Sequence, residues 1–134
     1  IVSLVALASV MNYAGMIVVI ASALATVTGQ LYPVFAPLIG AVGTFVTGSD
    51  TSSNILFAKL QANVAHQLNY SNSNWLVAAN TTGATGGKII SPQSIAIATA
   101  ACDMQGRDGE ILKAAIPYAI LYIAIGGLMV LLAV

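Results

Sequence analysis

The sequence predicts an all-α membrane protein, built from several transmembrane helices with re-entrant helical hairpins or broken helices among them. Of its 134 residues, 58% are hydrophobic and only 6% are charged, whereas a soluble domain usually has about 25% charged residues. So few charges cannot cover a water-facing surface, and lipid is the solvent that suits this chain. In addition, two polar, glycine-containing stretches, residues 48–54 and 80–94, interrupt the apolar sequence.

The first apolar segment, residues 1–25, contains no charged residue. Because about 20 apolar residues are enough to cross the hydrocarbon of a bilayer, this segment predicts one spanning helix. Asn12 lies near its middle, beside Tyr13 and Gly15. We expect a polar side chain at that depth to face protein or a cavity rather than lipid.

The second apolar segment, residues 31–47, follows a mostly polar turn at residues 26–30. It is marginally short for a full crossing and contains Pro33 and Pro37, which remove backbone donors. The length therefore suits a re-entrant arm or a helix that ends inside the membrane.

Residues 55–68 have apolar side chains at helical spacing and polar ones between them, which predicts an amphipathic helix. A polar loop is expected at residues 69–74. Residues 103–113 hold five of the charged residues and predict a solvated loop. The uncharged residues 114–134 predict a final spanning helix with Pro117 in its first turn.

The two polar stretches are where binding chemistry is expected. Non-helical backbone survives at membrane depth only where protein buries it or where it lines a watery cavity, and transporters use such breaks to hold substrates and ions. Hydroxyl and amide groups supply neutral ligands there without the desolvation cost of a fixed charge. The candidate binding residues are Ser49, Asp50, Thr51, Ser52, Ser53, Asn54, Asn80, Thr81, Thr82, Gly83, Lys88, Ser91, Gln93 and Ser94.

Asp50 is the only acidic residue between positions 1 and 101. An acid inside a membrane is usually functional, which makes it a candidate proton carrier or cation ligand. The alternative interpretation is a helix N-cap, because Asp followed by Thr-Ser-Ser suits that position. The two roles can coexist.

Lys88 and the residues that follow it have a functional and a structural interpretation. Lys88 could attract a carboxylate or pair with Asp50, or it could extend to the membrane interface. Ser91 is predicted to cap a helix that has Pro92 at its first position. Gln93 and Ser94 are then either ligands or parts of the cap.

Several other chemistries are excluded or unsupported. Residues 83–88 superficially resemble a phosphate loop, but Thr82 and Ile89 stand where that pattern needs Gly and Ser or Thr. The single His66 has no acid or cysteine at metal-ligand spacing, and the single Cys102 excludes an intrachain disulfide. We expect no metal, no cofactor and no enzymatic activity. The balanced charge gives no basic surface for nucleic acid.

Longer strings in the chain resemble the L-lactate permease family. They are GSDTSSN at 48–54, NTTG at 80–83 and GKIISPQSIA at 87–96, supported by FAPLIG at 35–40 and GTFVTG at 43–48. The match runs in order from about position 12 to about position 110, which is most of the chain.

The resemblance implies a multi-pass carrier in the plasma or inner membrane that takes up L-lactate, glycolate or a similar 2-hydroxy monocarboxylate with protons. It implies that residues 1–134 are the C-terminal portion of a single transmembrane transport domain of an inverted-repeat transporter. Hairpin tips at 52–54 and 80–82 would then bind the substrate carboxylate. A sodium-coupled carboxylate carrier and a channel-type or non-transporting membrane subunit stay as alternatives, and homo-oligomer formation is left open.

Overall fold

The computed structural model describes residues 2–134, with the side chain of Leu4 excepted. This part of the chain is all-α and has no strand. Its helices are α1 (Val2–Tyr13), α2 (Met16–Thr28), α3 (Tyr32–Thr47), α4 (Asp50–Gln67), α5 (Asn74–Ile89), α6 (Pro92–Ala101) and α7 (Asp108–Ala133). A 3₁₀ turn, Gly29–Leu31, joins α2 to α3. The predicted fold class is confirmed.

Two segments of the described chain are long and apolar enough to cross a membrane. One is Met16–Thr47, which comprises α2, the 3₁₀ turn and α3, and the other is α7. The 26 residues of α7 give a length of about 39 Å, which exceeds the hydrocarbon thickness of about 30 Å. Because α7 begins at Asp108, Pro117 lies inside this helix and not in its first turn as predicted.

The first apolar segment is broken, so the prediction of one continuous helix over residues 1–25 is wrong. α1 ends at Tyr13 and α2 begins at Met16. Between them Gly15 has φ of 71°, a left-handed conformation that residues with a Cβ rarely adopt. As expected, Asn12 faces a cavity, which lies between α1 and α4.

The two polar stretches are much more helical than predicted. Only Gly48 and Ser49 separate α3 from α4, and Asn80 to Ile89 belong to the continuous helix α5. The second break is therefore confined to residues 90–91. Tertiary packing explains why residues 80–89 are helical. The glycines of α5 lie against other helices, and this burial outweighs their weak helix propensity.

Helices α3 and α4 form an antiparallel hairpin. Near the turn, the Ser53 hydroxyl donates to the Gly40 carbonyl at 2.8 Å, and further away the Gln61 side-chain amide donates to the Ala36 carbonyl at 3.1 Å. The cap of α4 is Ser49, whose hydroxyl accepts from the Ser52 N–H at 3.3 Å. Asp50 is therefore the first residue of the helix and not its N-cap.

Helices α3 and α5 run parallel and touch through their backbones. Gly83 and Gly87, four residues apart, lie against Pro37 and Ala41, which have the same spacing on α3. A Cβ atom on either glycine would overlap backbone atoms of α3. This is the small-xxx-small packing by which membrane helices approach closely.

The remaining helices surround this central group. α7 crosses α3 and α5, with Gly126 beside the Thr82 side chain and Gly127 beside the Val34 backbone. α1 and α2 pack on α4. The outer faces carry large exposed apolar side chains, such as Val46 and Leu132, which are 76% and 81% exposed. Such a surface suits contact with lipid.

We predict that Gly83→Ala destabilises the full-length protein by about 1–3 kcal/mol or more, because the added methyl group forces α3 and α5 apart. Gly109→Ala is the matched control: Gly109 is also helical, but a Cβ there meets nothing within 4 Å. The control should leave stability unchanged or raise it by up to about 1 kcal/mol. Thermal unfolding in detergent measures both effects. Equal midpoints for the two variants would contradict the packing described here.

Candidate functional site

A line of hydrogen-bonded side chains connects α3, α4 and α5. The Tyr32 hydroxyl donates to Gln61 Oε1 at 2.8 Å, and Gln61 Nε2 donates to Asn80 Oδ1 at 3.3 Å. Asn80 Nδ2 then donates to Asn54 Oδ1 at 3.0 Å. Tyr32, Gln61 and Asn80 are fully buried. We call these four residues with Thr81 the amide network.

The amide network reaches an accessible edge at Asn54 and Thr81. Asn54 Oδ1 also accepts from the Thr81 hydroxyl at 3.0 Å, and Asn54 Nδ2 donates to the Asp50 carbonyl at 3.0 Å. Asn54 is half-buried and Thr81 is exposed. The edge thus has a second N–H on Asn54 Nδ2 and a Thr81 hydroxyl that can turn from Asn54 to a ligand. Both can donate to a carboxylate without placing a fixed charge among apolar helices.

Sequence reasoning placed Asn54, Asn80 and Thr81 among the binding residues, and the fold brings these three together. Their neighbours in sequence lie elsewhere. Thr82 donates to the Ala78 carbonyl of its own helix and faces α7. Ser53, which is buried, donates to α3.

The remaining candidates in these two polar stretches have different surroundings. Gly83 is buried against the backbone of Pro37, so its part in the fold is helix packing. Thr51 is exposed, whereas Ser52 is buried.

The second half of the predicted site lies where the α3–α4 turn meets the start of α6. A Cβ atom on Gly48 would lie 3.1 Å from Gln93 Cβ, so these two residues are in close contact. Ser91 caps α6 as predicted, because its hydroxyl accepts from the Ser94 N–H at 3.3 Å. Two capped helix starts, those of α4 and α6, are therefore adjacent.

Two polar atoms near the α3–α4 turn are buried without a hydrogen-bond partner: Asp50 Oδ1 and Thr44 Oγ1. Thr44 is fully buried, and its carbonyl accepts the N–H of Gly48 at 2.7 Å. Most buried polar groups in proteins are hydrogen-bonded, so each of these two oxygens is a candidate ligand atom. The sequence indicated Asp50 as a candidate but not Thr44, because a single threonine in an apolar segment is common.

Lys88 lies exposed in the last turn of α5. The described residues contain one ion pair, Arg107 with Glu110, so Lys88 does not pair with Asp50, which was one of the roles open to it. A cation near the C-terminus of α5 complements the dipole of that helix.

Gln61 and Tyr32 are the members of the amide network that sequence reasoning missed. Gln61 looked like one of several polar residues on an amphipathic helix. Its spacing of seven from Asn54 was the available signal, since residues that far apart lie on the same face of an α-helix. No sequence signal pointed to Tyr32, because its hydroxyl meets Gln61 only once α3 and α4 pack against each other in the hairpin.

The charged residues at 103–113 are exposed, as predicted, but only residues 102–107 form a loop. The prediction of a loop up to residue 113 is wrong, because Asp108, Glu110 and Lys113 lie in the first turns of α7. Arg107 Nε donates to Glu110 Oε1 at 3.0 Å, and this hydrogen bond raises the pKa of the Arg107 guanidinium. In the loop between α4 and α5, burial raises the pKa of the Tyr70 phenol. In residues 2–134 no group of three or more His, Cys, Asp or Glu side chains could hold a metal ion.

The amino-acid sequence is similar to those of a known protein family. Residues 1–134 match the family of L-lactate permeases. The chain is 47% identical over 127 residues to the glycolate permease GlcA of Escherichia coli strain K12, covering 95% of this chain and 22% of that protein. It is 46% identical over 124 residues to the L-lactate permease of the same strain, covering 92% of this chain and 22% of that protein.

A more distant relative is the L-lactate permease of Bacillus subtilis strain 168, which is 40% identical over 118 residues, or 88% of this chain and 21% of that protein. No solved structure matches the chain significantly. The chain thus spans about a fifth of the length of the curated relatives it matches. All three relatives are named as permeases, which are membrane transporters and not enzymes. Together with the match over its whole length, these similarities show that the chain belongs to the L-lactate permease family.

Proposed function

We propose that this chain is part of a multi-pass secondary transporter that carries L-lactate, glycolate or a similar small 2-hydroxy monocarboxylate across the plasma or inner membrane. The names of its relatives support the substrate class. The observation in the structure that best supports transport is the amide network, which ends in the accessible pair Asn54 and Thr81 among apolar helices.

The chemistry of a 2-hydroxy acid fits neutral ligands of this kind. Its carboxylate accepts hydrogen bonds, and its hydroxyl both donates and accepts. Asn54 and Thr81 supply an amide and a hydroxyl at the edge, while the fully buried Gln61 and Asn80 hold the amide of Asn54 in place. A carrier must also release its substrate, and neutral groups bind an anion less tightly than a fixed cation does.

For coupling, we propose protons, with Asp50 as the carrier. Asp50 Oδ1 is buried and has no hydrogen-bond partner, so a proton binds there without displacing an existing hydrogen bond. Thr44 Oγ1 of α3, equally buried without a partner, supports sodium as the alternative, because Na⁺ is held by oxygen ligands.

We expect the full-length protein in proteoliposomes to accumulate radiolabelled L-lactate when a pH gradient, acidic outside, is imposed. Replacing Na⁺ by choline separates the two coupling ions, since a proton symporter keeps its uptake and a sodium symporter loses it. Protein-free liposomes give the background from diffusion of the undissociated acid. Uptake that stays at that background would contradict the proposed function.

We expect Asp50→Asn to lower gradient-driven uptake by about tenfold or more, because the variant cannot take up the coupling proton. Exchange of internal for external L-lactate needs no net proton movement and should survive better. The control is Asp103→Asn, which neutralises an exposed acid in the loop before α7. Equal loss of uptake and exchange in Asp50→Asn would instead indicate a structural role for this residue.

A further inference from the structure

A second polar region lies on the opposite side of α4, in a cavity of about 360 Å³ between α1 and α4. Ser9, Asn12 and Tyr13 of α1 and Lys59 of α4 supply its polar lining. Ile55 lines it as well, one helical turn before Lys59. The amide network is not part of this cavity, since Asn54 takes its partners from α5 and from its own helix.

Lys59 is the only formally charged residue that lines the cavity. In the described residues no carboxylate forms an ion pair with it, because the ion pair present there joins Arg107 to Glu110. Asp50, the other charged residue of α4, lies nine positions earlier, which corresponds to about 14 Å along the helix. Lys59 is exposed at the opening of the cavity, so its ammonium group is accessible to an anion from solution.

The helix break at Gly15 places two helix ends near the cavity, and each of them contributes a partial charge to the electrostatic field there. The C-terminal end of α1 carries a partial negative charge, and the N-terminal end of α2, which begins three positions further on, carries a partial positive one. These two partial charges of about half an elementary charge are close along the chain and opposite in sign, so they offset each other. The full charge of Lys59 then dominates, and the cavity attracts anions.

The neutral groups that line the cavity suit the same ligand. The Asn12 amide, the Ser9 hydroxyl and the Tyr13 phenol can each donate a hydrogen bond. Tyr13 is 89% exposed and lies at the rim, whereas Asn12 is half-buried. The volume of about 360 Å³ falls within the usual range of small-molecule sites.

We propose that the cavity between α1 and α4 is a binding site for a small carboxylate anion, with Lys59 as its counter-charge and Asn12 and Ser9 as hydrogen-bonding partners. The choice of a carboxylate over other anions rests on the proposed function. The site is separate from the edge of the amide network, so the two regions can each hold an anion on a different face of α4.

The test measures carboxylate binding to the purified full-length protein by isothermal titration calorimetry, with L-lactate and with acetate as probes. We expect Lys59→Gln to weaken binding of both probes about tenfold or more, because a charge-assisted hydrogen bond is lost. Lys59→Arg keeps the charge and should retain most of the affinity. Lys113→Gln is the matched control, since Lys113 is an exposed lysine of α7 that lies outside this cavity.

Asn12→Leu provides a second variant, with an expected loss of a few-fold in affinity for both probes. It decides the outcome if Lys59→Gln does not fold, which thermal unfolding reveals. Wild-type affinity in both variants would overturn the proposed site even if L-lactate uptake is intact. The opposite outcome is Lys59-dependent binding of acetate by a protein that takes up no L-lactate. That result would contradict the proposed function and support this site.

Discussion

Direct backbone contact between α3 and α5 is the constraint on which the rest of the structure depends. It requires residues without a side chain at three positions, because a Cβ on Gly40, Gly83 or Gly87 would overlap the backbone of the other helix. In a membrane, where lipid is as apolar as a leucine side chain, close packing of this kind takes the place of hydrophobic collapse. The contact brings Asn80 of α5 against α3, within reach of the polar side chains of α4.

The hydrogen bonds of the amide network depend on this close packing of α3 and α5. Gln61 lies between Tyr32 and Asn80 and bonds both, so each amide in the buried part of the line has a partner. Buried polar groups that are fully paired make a region rigid, and those without partners are available to a ligand. The structure has both kinds: the buried part of the amide network, Tyr32, Gln61 and Asn80, is paired, while Asp50 Oδ1 and Thr44 Oγ1 are not. The buried amides thus support the accessible edge at Asn54 and Thr81.

Helix α4 is polar on more than one side, and its neighbours use each side differently. The side that bears Asn54 meets α5, and the side that bears Lys59 meets α1 across a cavity. The buried polar side chains of α4, such as Ser53 and Gln61, are hydrogen-bonded to α3 and α5, which is how polar groups are stabilised between apolar helices. The break at Gly15 contributes by ending α1 next to Asn12, which faces the same cavity.

The sequence by itself determined the solvent, the fold class, the places where polar residues interrupt the apolar segments, and the family through its long motif strings. Composition and hydrophobic length decide these properties, because they depend on which solvent each residue tolerates. It also predicted the cap at Ser91, which is confirmed, and it selected Asn54, Asn80 and Thr81, which the fold brings together. Only the tertiary structure decided that residues 80–89 are helical, that Gln61 and Tyr32 join the network, and that Lys88 stays apart from Asp50. These features arise from contacts between α3, α4 and α5, and local patterns along the chain contain no information about which helix will lie beside a given residue.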